Sequence, residues 1–144
     1  MSVKNRNADF KRRCLELYHE AQRRGIPVTP ESIVARAIDS PPQCFYVDPV
    51  YAYNKVLRIL AKGTESIPAT PAGCMWLELT AMVRAELLRR PAPVVQALGH
   101  VLNRRHPSAF HISFREGMRI ARTLFHTHHT IHRPRRAAKT PPAP

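Results

Sequence analysis

Acid is what the second part of this chain most lacks: residues 87–144 carry Glu116 alone against eleven basic side chains. Aromatic residues are also few, at 7%, and Leu, Ile, Val, Ala and Met outnumber them, a balance that suits helix packing more than strand pairing. Cysteine occurs only at positions 14, 44 and 74. An odd number with no C-x-x-C spacing excludes a disulfide framework or a zinc ribbon, so the three are expected to be reduced and mostly buried small apolar residues. No stretch approaches the length of a membrane span, and MSVKNRNADFKRR lacks the apolar core that a signal peptide needs; the expected location is cytoplasmic.

Catalytic motifs are missing as well. There is no G-x-S-x-G, no H-E-x-x-H and no glycine-rich phosphate loop. The ten carboxylates read as caps or helix-surface charges, for example Glu16 and Glu20. No nucleophile, base and orienting group can be named together, so neither an enzyme nor a cofactor is expected.

What the chain does have is punctuation. Fourteen prolines stand among 144 residues, several just after a residue able to cap a helix. At 7–24, Phe10, Cys14, Leu17, Tyr18 and Ala21 recur at the spacing of one helical face, and Gly25 closes the segment. Thr29 followed by Pro30 opens a short helix carrying Ile33, Val34, Ala37 and Ile38. After an extended apolar connector at 45–47, Asp48 and Pro49 open a third helix with Ala52, Tyr53, Val56, Ile59 and Leu60, which runs to Gly63.

The order then repeats. Thr70 and Pro71 open a helix bearing Met75, Leu79, Met82 and Val83; Val94, Val95, Leu98, Val101 and Leu102 mark another; 110–112 is a second connector. Ser113 to Glu116 fits a capping box that starts the last helix, with Phe114, Met118, Ala121 and Phe125 expected inward. At a constant offset of 65, Cys14 matches Leu79, Ile33 matches Leu98, Pro42 matches Pro107 and Phe45 matches Phe110. Identities at this offset are no more frequent than chance gives, so the likeness is one of layout, which duplication or coincidence explains equally.

The predicted fold is therefore all-α: a compact bundle of about six helices within 1–129, as two pseudo-repeated three-helix halves at 5–63 and 70–129. Residues 130–144 have too few apolar side chains to pack and are predicted to form a flexible, basic, proline-rich tail.

Charge supplies the functional reading. The formal net charge is +13; residues 1–86 hold twelve basic and nine acidic side chains, so most of the excess lies beyond them. Eighteen of the basic residues are Arg, whose planar fork of donors suits phosphates and base edges, although a G+C-rich genome would produce the same bias. On the last helix, Arg115, Arg119, Arg122, His126 and His129 form a stripe beside the predicted apolar face. Arg104 and Arg105 on the preceding helix, with Arg133, Arg135, Arg136 and Lys139 in the tail, would extend it if packing brings them to one side. Such clustering is the footprint of a phosphate-binding surface, and the expected partner is DNA or RNA, contacted without strong sequence readout.

Weaker motifs stand beside it. The segment 29–60 invites comparison with a helix-turn-helix, but its second helix begins with Asp48, Pro49, Val50 and Tyr51 where a recognition helix should be polar and basic. Tyr51 and Tyr53 are candidates for base stacking, against half-buried packing as the plainer role. His128 and His132 share an i, i+4 spacing, yet no nearby Cys or carboxylate completes a zinc set. The competing function is a helical interaction module or homo-oligomeric adaptor that docks an acidic protein or a ribonucleoprotein; Trp76 and Leu77, off the face of their helix neighbours, would supply an apolar patch.

Overall fold

Three helices start where a capping residue precedes a proline. The computed structural model describes residues 3–126, and among them lie six helices: α1 (Val3–Arg24), α2 (Pro30–Ile38), α3 (Pro49–Lys62), α4 (Pro71–Arg89), α5 (Val94–Arg104) and α6 (Phe114–His126). Thr29 Oγ1 accepts from the Ser32 N–H at 3.1 Å, an Asp48 carboxylate oxygen from Tyr51 at 2.8 Å, and Thr70 Oγ1 from Gly73 at 3.1 Å. Each bond satisfies a donor that the first helical turn leaves open, while proline at the next position loses no helix bond. At the other end of α1, Gly25 takes φ +65°, and the Ile26 N–H bonds back to the Ala21 carbonyl at 2.9 Å. A left-handed residue is what this closure requires, and glycine adopts it without a Cβ penalty.

The helices bury two separate cores. Phe10, Cys14 and Leu17 of α1, Ile33, Val34 and Ala37 of α2, and Ile120, Ala121 and Leu124 of α6 form one, with Phe110 and Ile112 of the second connector. Phe45 and Val47 of the first connector, Ala52 and Val56 of α3, Leu79 and Val83 of α4, and Ala97, Leu98 and Val101 of α5 form the other. The packing units are thus α1, α2 and α6 against α3, α4 and α5. They are not the sequence halves 5–63 and 70–129. Periodicity identifies which face of a helix turns inward but not which neighbour receives it.

The exchange follows the offset of 65. α1, α2 and α3 correspond in order to α4, α5 and α6, so each bundle combines the first two helices of one half with the third helix of the other. Corresponding positions behave alike: Ala52 and Gly117, Val56 and Ala121, and Ile59 and Leu124 are buried in both third helices. Pro42 and Pro107 are buried in both connectors.

Each connector is held by a carboxylate on the first helix of the bundle it leaves. Asp9 on α1 accepts from the Gln43 N–H at 3.0 Å and from the Tyr46 hydroxyl. Glu78 on α4 accepts from the Ser108 N–H at 3.0 Å and from His111 Nε2–H at 2.9 Å. Gln43 and Ser108, and Tyr46 and His111, are each 65 residues apart.

Of the cysteines, only Cys14 is buried as expected; Cys44 is half-buried and Cys74 exposed. Cys74 sits in the first turns of α4, ahead of the stretch where that helix meets α3 and α5. The helix-turn-helix comparison fails on topology, since α2 and α3 belong to different bundles and make no helix contact. No helix among the described residues is long and apolar enough to cross a membrane.

Candidate nucleic-acid interface

Ser113 precedes helix α6, and its Oγ accepts from the Glu116 N–H at 3.0 Å. One turn on, Gly117 lets the helix lie close on its neighbours: a Cβ there would come within 2.9 Å of Val34 Cγ1 and 3.2 Å of Phe10 Cζ. Gly117, Ile120, Ala121 and Leu124 face the core. Phe114, predicted inward, is 47% exposed, and Met118 and Phe125 lie half-buried at the edge. The buried face is rotated by about 80° from the predicted one at 100° per residue, because glycine counts as a contact residue only once something packs on it. The rotation places Arg115, Arg119 and Arg122 opposite the core rather than beside it, and all three are exposed.

These arginines line an open groove of about 730 Å³ with Ser113, Glu116, Met118, Phe125 and Pro30, the last from the first turn of α2. Its lining is therefore three guanidiniums, one carboxylate and an apolar edge. Glu116 is not a bystander. It accepts from Arg119 Nε at 2.9 Å and from a second guanidinium nitrogen of the same residue, and Arg6 of α1 lies 3.7 Å away. The hydrogen bond from Arg119 holds the Glu116 carboxyl below the usual range, against an opposing effect of burial, with the charges of Arg119 and Arg6 adding to the lowering. The same bond raises Arg119, whereas burial lowers Arg6 despite the Glu116 charge. The stripe is thus partly neutralised from within, and Arg115 and Arg122 are its members without an ion-pair partner among the described residues.

Other predicted site residues fall elsewhere. Arg104 and Arg105 close α5 in the second bundle, and α5 makes no contact with α6. Arg105 instead borders a groove with Glu78, Glu86 and Arg89. The backbone of His126 ends α6; its side chain, together with His129, Arg133, Arg135, Arg136 and Lys139, lies outside the described residues, as do His128 and His132. Among the described residues no group of three His, Cys, Asp or Glu could hold a metal ion. Arg6 and Pro30 were not anticipated, since nothing in the spacing of α1 or α2 shows that their ends flank α6.

The second bundle carries the counterpart of this face in altered form. Where α6 has Arg115, Arg119, Arg122 and His126 at i, i+4, i+7 and i+11, α3 has Val50, Asn54, Leu57 and Ala61. Val50 is 69% exposed, Asn54 and Ala61 are exposed, and Leu57 is half-buried. Beside the stripe the ring centroids of Tyr51 and Trp76 lie 5.7 Å apart, with Tyr51 58% exposed, while Tyr53 is half-buried and packs on the core. Trp76 and Leu77, expected as an open patch, are both half-buried.

No family model matches the chain, and no curated protein or solved structure matches it.

Proposed function

We propose that the protein binds nucleic acid as a small accessory factor, through phosphate contacts made by α6, and that it has no catalytic role. The observation that carries this is the outward row of Arg115, Arg119 and Arg122 along one groove, with Glu116 the single acid that lines it among the described residues. Arg115 and Arg122 offer guanidinium forks that no carboxylate among the described residues takes up, and a phosphate between them accepts charge-assisted hydrogen bonds that need no base identity. Arg119, already committed to Glu116, orients the row more than it contributes charge. Displacement of condensed counterions supplies affinity in such a contact and makes it salt-dependent.

The test is binding of fluorescent DNA and RNA oligonucleotides over a salt series, comparing the parent with an Arg115→Gln, Arg122→Gln double variant. Losing two phosphate contacts flattens the log-log salt slope by roughly 1.4 to 1.8. A slope that does not move, or a parent that fails to bind at low salt, removes this reading.

A further inference from the structure

We infer that α3 carries a second nucleic-acid contact, separate from α6, which stacks an unpaired base on Tyr51 and holds the adjoining phosphates with Lys55, Arg58 and Lys62. Its partner is therefore a single-stranded stretch. The inference rests on the proposed function for the class of partner alone, since its residues are different ones. Tyr51, Lys55, Arg58 and Lys62 recur at i, i+4, i+7 and i+11, the spacing of Arg115, Arg119, Arg122 and His126 on α6. At 100° per residue they fall within a sector of about 60°. The two rows stand 64 residues apart, one short of the offset that relates the two halves. That one residue turns the α3 row about the helix, so it flanks its core beside Trp76 of α4 instead of standing opposite.

Charge and ring placement both fit such a ligand. Helix α3 holds three cations and no acid. Arg58 and Lys62 are exposed and Lys55 is half-buried, and none of the three has an ion-pair partner among the described residues. On α6, by contrast, Glu116 takes up Arg119. The N-terminal end of the α3 row is aromatic: Tyr51 is 58% exposed, and the Trp76 ring braces it from 5.7 Å. A ring already held in place loses little freedom when a base stacks on it, and every base has a π-face to offer. Asp48 caps the helix at this same end, where its charge repels a phosphate. The phosphates are thereby directed to Lys55, Arg58 and Lys62, and the base to Tyr51. A duplex keeps its bases paired and stacked inside, so it has none to place on the ring.

Trp76 is the only tryptophan in the chain, so its emission reports on this contact and not on α6. Titration of the full chain with a thymidine oligonucleotide at low salt is expected to quench Trp76. The same strand paired with its complement, and inorganic polyphosphate, offer no free base and leave the emission nearly unchanged. Tyr51→Phe keeps the quenching, because stacking needs the ring and not the hydroxyl. Tyr51→Leu abolishes it and weakens single-strand binding, read by anisotropy of a labelled strand, between about fivefold and a hundredfold. Arg58→Gln with Lys62→Gln flattens the single-strand salt slope by about 1.4. Helical circular dichroism of these variants matches the parent, since all three side chains are exposed. The Arg115→Gln, Arg122→Gln variant retains the quenching. Quenching of equal size by duplex or polyphosphate, a strand that binds without moving Trp76 emission, or a Tyr51→Leu variant that binds as the parent does overturns the inference and leaves the α6 reading standing. Quenching in the parent, with an unmoved salt slope in the α6 variant, supports the inference and overturns the α6 reading alone.

Discussion

Tyr46 and His111, 65 residues apart, occupy the same place in two crossing connectors, and each donates to a carboxylate of the bundle that its connector leaves, Asp9 or Glu78. His111 does so from a left-handed backbone, φ +55°, a conformation that a residue with a Cβ adopts at a cost. The bond to Glu78 helps to offset that cost.

The latch at Glu78 predicts an acid-sensitive step in stability. Burial alone raises this carboxyl, but the hydrogen bonds from His111 and Ser108 outweigh it and hold the pKa below its ordinary value. A depressed folded pKa means that the contribution is complete above the ordinary Glu range and is lost as pH falls through the folded value. Urea unfolding of a Glu78→Gln variant should show a loss of about 1 kcal/mol at pH 7, and a shallower decline than the parent below about pH 4.5. Parallel pH profiles would show that the latch contributes nothing.

Gly117 should resist enlargement. Its Cβ position is filled by Val34, Ile38 and Phe10 from both helices on which α6 rests. Gly117→Leu is expected to cost about 1 to 3 kcal/mol through overpacking, despite the better helix propensity of leucine. Chemical denaturation measures it, and an unchanged midpoint would mean that α6 does not sit this close.

Thr80 offers the opposite case. Its hydroxyl is buried in α4 with no hydrogen-bond partner among the described residues. Valine keeps the shape and removes the unpaired group, so Thr80→Val should stabilise by about 1 kcal/mol. A destabilised variant would reveal that the hydroxyl is satisfied in solution.

The thiols should react in order of exposure. Cys74 is exposed and labels first with a thiol reagent at neutral pH; Cys44 is slower, because burial pushes its thiol up. Burial pushes Cys14 up to about 12, so it should label only on unfolding. Early modification of Cys14, followed by mass spectrometry, would contradict the placement of α1 in its core.

How much of this could be read in advance differs by level. Caps at Thr29, Asp48 and Thr70 act within three residues, so the starts of α2, α3 and α4 were legible. The inward face of α1 was also legible, because Phe10, Cys14, Leu17 and Ala21 are bulky or apolar without exception. The face of α6 was not legible, because Gly117 and Ile120 matter only through what α1 and α2 bring against them. The arginine row was found from spacing, but its internal neutralisation by Glu116, and the part played by Arg6, depend on rotamers and on a helix more than a hundred residues away. The exchange of third helices was invisible for the same reason: nothing local distinguishes a neighbour in sequence from one across a connector.

That exchange imposes an order on synthesis. The bundle of α3, α4 and α5 is continuous along the chain, whereas α1 and α2 must wait for α6, and closing that longer loop costs more entropy. Pulse-labelled hydrogen exchange during refolding should therefore protect α4 and α5 before α1. Domains commonly mature from the N-terminus as they leave the ribosome; here the middle of the chain is expected to close first. The groove on α6 then comes into being only with the final packing event, so a truncated or stalled product presents no arginine row on a finished scaffold.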